Sequence, residues 1–85
     1  MLRIDQVYEN FSSVKLKLEG TLVGEWVSLL EQKILECLEN NKKVLLDFSK
    51  LRFVDEHGME MLRRMPPEKI EITNCPRFIE ELLKG

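Results

Sequence analysis

The sequence predicts an α/β fold: a four-stranded, mostly parallel sheet with three helices, in the order β-β-α-β-α-β-α. Three observations carry this. Apolar side chains alternate through residues 13–19, recur at helical spacing through residues 26–38, and run almost unbroken through residues 43–48. A period of two sets one face of a strand against a core. A period of 3.6 does the same for a helix, and a short continuous apolar run suits a central strand. Strands that alternate with helices are joined by right-handed crossovers, which lay the helices on a parallel sheet.

Taken in order, the first strand covers Leu2 to Glu9, with Leu2 and Ile4 in one phase and Val7 in the other. Asn10 and the serines after it form a turn, so a hairpin leads into the second strand. There Val14, Leu16 and Leu18 face away from Lys15, Lys17 and Glu19. Gly20-Thr21-Leu22-Val23-Gly24 breaks the alternation. The first helix then buries Trp26, Val27, Leu30, Ile34, Cys37 and Leu38, and Asn40-Asn41 ends it.

Lys43 to Phe48 is expected to be a strand covered on both faces, followed by a loop holding Leu51, Phe53 and Val54. Asp55 is a good N-cap for the second helix, and Glu56 in its first turn is favoured by the helix dipole. Gly58 lets that helix approach another backbone closely. Met59, Leu62 and Met65 line its inner side, and Pro66-Pro67 stops it. Glu68 to Thr73 alternates through Ile70 and Ile72 as the last strand. Pro76 suits the first turn of a final helix, whose buried stripe would be Phe78, Ile79, Leu82 and Leu83.

Composition narrows the functional classes. The 85 residues make a single domain, 1–85, and a mixture of 44% hydrophobic and 33% charged residues is that of a globular chain. Thirteen basic against fifteen acidic residues leave a net charge of −2, so no basic excess draws the chain to nucleic acid. Apolar stretches are too short to insert in a membrane, and a charged residue interrupts any N-terminal signal segment. Cys37 and Cys75 fit a reducing compartment. The expectation is a soluble cytoplasmic domain.

Nothing in the sequence supports catalysis. A nucleophile would have to be Cys37, which lies on the apolar face of a helix, or Cys75 working with His57, the single histidine. Cysteines so placed are more often packing residues. No CxxC or HxxxH spacing offers a metal site and no glycine-rich loop offers a phosphate or cofactor site. Asp47 and Asp55 form the most suggestive carboxylate pair, though close pairs arise by chance among fifteen acids. His57 reads equally as a polar contact residue or a solvated one, and Trp26 more often as core edge than as an interface anchor.

The segment from Val44 to Leu62 resembles the STAS family, named for sulfate transporters and anti-sigma factor antagonists. Asp47-Phe48-Ser49 is similar to the family's strand-ending Asp-Leu-Ser, and Asp55-x-x-Gly58 to its Asp-Ser-x-Gly at the start of a helix. Leu18-Glu19-Gly20-Thr21-Leu22 and the stretch from Asn74 to Leu83 are like the family's flanking elements, so the likeness spans nearly the whole chain.

The resemblance implies a non-catalytic protein-interaction module. Its partner would be a kinase-like anti-sigma factor or, alternatively, a membrane transport ATPase for lipid or anion transport. In the family, the loop carrying Thr21, Leu22 and Val23 lies beside the helix start carrying Asp55, Glu56, His57 and Gly58, and these seven are the expected partner-binding residues. The family's phosphorylated serine falls at Glu56, which a serine kinase cannot modify, and its usual aspartate falls at Val23. The usual switch should therefore be absent, with Ser49 the first alternative site to check.

Overall fold

A computed structural model of the chain describes residues 1–84. The element order is the expected one: β1 (Leu2–Glu9), β2 (Ser13–Leu22), α1 (Glu25–Glu39), β3 (Lys43–Val54), α2 (Glu56–Arg64), β4 (Ile70–Thr73) and α3 (Arg77–Lys84). The sheet runs β1-β2-β3-β4, antiparallel at β1–β2 and parallel at both later pairings. Asn10 makes the first turn: its side-chain oxygen accepts from the amides of Ser12 and Ser13, at 2.9 and 2.7 Å. The phase change along β1 has a cause in a bulge between Gln6 and Tyr8, which shifts the pairing with β2.

Val14, Leu16 and Leu18 of β2 join Val44, Leu46 and Phe48 of β3 in one core. Val27, Leu30, Ile34 and Cys37 of α1, Met59, Met61 and Leu62 of α2, and Ile79 of α3 belong to the same core. All three helices thus cover one face of the sheet. The expectation that β3 is covered on both faces is corrected: Leu45 lies half-buried outside the core, with Lys15 and Glu71 beside it in register. The stems of such long charged side chains can shield an apolar neighbour while their charges stay in water.

The segment expected to be a loop is strand. β3 runs on to Val54 because it carries two residues more than β2 over the same span, one between Asp47 and Lys50 and one between Leu51 and Phe53. Each extra residue resets the alternation, so burial falls on Phe48, Leu51 and Val54, every third position. A period of three matches neither strand nor helix, which is why the pattern reads as irregular.

The final helix also departs from expectation. Only Ile79 is buried there and Leu83 packs partly against the core, while Phe78 and Leu82 are 46% and 50% exposed. Among the described residues α3 packs mainly against α2, and its apolar stripe is half covered. Trp26 packs against the core's edge from the start of α1.

Candidate docking surface

β2 and β3 are parallel, so their C-terminal ends, and the helices that follow, meet at one corner of the molecule. The residues that build this corner do so through the backbone. Asp55 stands at the N-cap of α2, where its Oδ1 accepts from the Gly58 amide at 2.8 Å. Its Oδ2 reaches across to accept from the Gly24 amide at 3.0 Å. Gly24 occupies the N-cap position of α1 with a left-handed φ of 55°, and no side chain caps that helix. A single carboxylate therefore ties the two helix starts together. These two amide bonds, Gly24's first, hold the Asp55 carboxyl below the ordinary aspartate range. The Asp55 amide in turn donates to the Leu22 carbonyl at 3.1 Å.

Gly58 is where α2 crosses the end of β2. A Cβ there would stand 2.6 Å from Val54 Cγ1 and 3.1 Å from the Leu22 carbonyl oxygen. Any side chain would lever the helix start away from the loop, so this glycine sets the separation of the two segments.

The seven expected residues thus converge on one corner but divide in what they offer. Glu56 and His57 are exposed on the first turn of α2, Val23 is half exposed beside them, and Asp55 is half-buried. Leu22 and Gly58 are buried, so their part is to position the backbone. Thr21 is engaged elsewhere: its amide donates to the Met1 carbonyl at 2.8 Å, and its hydroxyl reaches the same oxygen at 3.2 Å.

Sequence reasoning missed the apolar surface next to this corner. Phe53 is 52% exposed and shares a shallow groove of about 450 Å³ with Leu82, Val54, Met59, Glu56 and Arg63. The sequence pattern puts Phe53 in a loop and Leu82 in a buried stripe, and both are exposed. The exposure of Phe53 follows from the extra residues of β3 relative to β2, which no local periodicity signals.

The other candidate groups are structural. Asp47 does not pair with Asp55. Its Oδ1 accepts from the Ser49 amide at 2.9 Å, closing the first irregularity in β3, and from Asn74 Nδ2 at 3.2 Å, and the Ser49 bond above all holds its carboxyl low. Asn74 has a φ of 53° and turns the chain from β4 towards α3. Cys37 is buried and Cys75 packs against the core, and burial pushes both thiols up, away from the thiolate that a nucleophile needs. Among the described residues no three His, Cys, Asp or Glu side chains gather to hold a metal, and no helix is long and apolar enough to cross a membrane.

Comparison with known proteins agrees with this architecture. A solved structure of the anti-sigma factor antagonist SpoIIAA in its unphosphorylated form is similar to this chain with a TM-score of 0.76 at 17% identity, over 96% of this chain and 82% of that one. A structure of Mglu is similar with a TM-score of 0.65 at 15% identity, over 88% of this chain but 20% of that chain. No curated protein matches at the level of sequence. The STAS domain family matches residues 4–66, from β1 through the helix stop at Pro66. With that match spanning most of its length, and with the β-β-α-β-α-β-α fold in place, the chain belongs to the STAS domain family.

Proposed function

We propose that this chain is a non-catalytic docking module. Its contact surface is the start of α2, with Glu56 and His57 as the projecting side chains, Val23 beside them, and Asp55, Gly58, Thr21 and Leu22 holding the surface in place. One observation carries the reading: the Asp55 carboxylate joins the amides of Gly24 and Gly58, so the loop and the helix start form one rigid corner. A surface fixed before binding loses less entropy on docking. Cys37, Cys75, Asp47 and Asp55 are spent on packing or on backbone amides, which favours binding over turnover.

By likeness to the anti-sigma factor antagonist SpoIIAA, the partner is an anti-sigma factor, and the family resemblance makes it a kinase-like, cytoplasmic one and not nucleic acid or membrane. Glu56 then gives the surface a permanent negative charge where the family's serine would gain one on phosphorylation. A second reading draws on the same residue. Glu56 is exposed and enters no ion pair among the described residues, so it is free to meet a partner, and it offers a serine kinase no hydroxyl, as suits an unswitched subunit of a membrane transport ATPase.

The test is capture of partners from lysate of the source cell by the tagged chain and by its Glu56→Ser variant, with identification by mass spectrometry. A soluble kinase-like ATPase that phosphorylates the serine variant supports the first reading, and a membrane transport ATPase indifferent to position 56 supports the second. Either partner should be lost from a His57→Ala/Val23→Ser double variant. Undiminished capture by that variant, with its fold intact, sinks the docking surface itself.

A further inference from the structure

β3 is twelve residues long, yet β4 covers only Val44–Asp47 of it. Past that point the Asp47 side chain takes the Ser49 amide, and no strand follows on that side among the described residues. The upper half of β3 therefore has β2 on one side and an open edge on the other. Such an edge presents main-chain donors and acceptors to another extended chain. Beside it stand the exposed side chains of Phe53 and Leu82, which would cover apolar residues of whatever pairs there.

The charges select the occupant. Lys50 and Arg52 are exposed on either side of buried Leu51, and neither forms an ion pair among the described residues. The acids nearby are Glu19, opposite Lys50 on β2 and in one shallow groove with Arg52 and Arg3, and Glu56, which lines the Phe53 groove. A second copy of this strand, antiparallel about Leu51, would set Lys50 against Arg52 of its mate. Like charges directly opposite destabilise a pairing. We infer that the open edge of β3 from Ser49 to Phe53 binds an extended segment of a partner protein, with acidic residues at alternate positions and apolar residues between them. The Phe53 groove borders the Asp55 corner through Glu56, but the inference rests on the strand edge and its basic residues and not on the corner's role.

The test uses the full chain and two fluorescein-labelled twelve-residue peptides, one alternating Glu with Val and the other Lys with Val. Binding is read by fluorescence anisotropy and its location by amide hydrogen exchange. The acidic peptide should bind, more weakly as salt rises, and slow exchange within residues 49–53. A Lys50→Glu/Arg52→Glu variant should weaken it at least about fivefold, from two reversed cross-strand pairs, and favour the basic peptide instead. A Lys69→Glu variant, reversed in charge at the other end of the sheet, should bind the acidic peptide as the parent does. The inference is overturned by no binding, by protection falling on β1 instead, by indifference to the charge reversal, or by an equal loss in the Lys69→Glu variant.

Discussion

The two halves of β3 are built from one continuous strand and do different work. From Lys43 to Asp47 the strand is paired on both sides, its side chains alternate, and Val44 and Leu46 are wholly buried. From Phe48 to Val54 it is paired on one side, carries two extra residues, and buries every third side chain. The first half anchors the sheet. The second re-aims its residues so that Leu51 and Val54 still reach the core while Lys50, Arg52 and Phe53 are turned out and Asp55 arrives at the helix corner. Regular pairing supplies stability, and the irregularities supply surface.

The sharpest way to break that division is at its junction. Phe48 is fully buried, and Phe48→Ala should cost about 3–5 kcal/mol of unfolding free energy in urea titration, enough to threaten the whole fold of so small a domain. Next comes Gly58→Ala. A methyl group 2.6 Å from Val54 Cγ1 is overpacked, and about 1–3 kcal/mol should be lost. Because the strain falls on the corner, backbone amide shifts in NMR should be largest at Leu22–Gly24 and Asp55–Met59 and small along Lys43–Leu46. Equal shifts in both halves would contradict their independence.

Asp55→Ala removes the cap and the link to Gly24 together, and should cost about 1 kcal/mol. Asp55→Asn sharpens the result: an amide oxygen can still accept from Gly58 while the side-chain nitrogen cannot accept from Gly24. That variant should keep most of the stability and lose the fixed corner, seen as faster exchange of the Gly24 amide.

Acid should weaken both halves. The Asp47 and Asp55 carboxyls lie below their ordinary value because backbone amides bond to their charged forms. A depressed folded-state pKa adds stability above the unfolded value, about 3.9 for aspartate, and that contribution drains away as pH falls through the folded pKa. Unfolding free energy should hold level from neutrality to about pH 5 and fall below about pH 4, with a shallower fall in Asp47→Asn and in Asp55→Asn. The smallest effect is Glu56→Ser, an exposed substitution expected to shift stability within about 0.5 kcal/mol. A larger loss would make Glu56 part of the corner's framework.

Much of this is legible in the sequence, and the reason is local. Alternation in β2, helical spacing in α1, the cap at Asp55 and the breaks at Asn40-Asn41 and Pro66-Pro67 are properties of neighbouring residues. They place four strands and three helices in order. Asp55, Gly58 and the Thr21–Val23 loop stood out for the same reason: a capping carboxylate and a glycine in a first turn are local chemistry.

What tertiary structure alone decided were the features that depend on a partner distant in the chain. The extra residues of β3 exist only relative to β2, so the stretch from Ser49 to Val54 carries no period of its own. Whether Leu45, Phe78 and Leu82 are covered depends on what lies over them, and among the described residues no element lies over β3's outer face or α3's outer side. That Asp55 holds Gly24 as well as Gly58 follows from a hydrogen bond spanning 31 residues of chain. Local periodicity reports which way a side chain faces within its own element; only packing determines what it meets there.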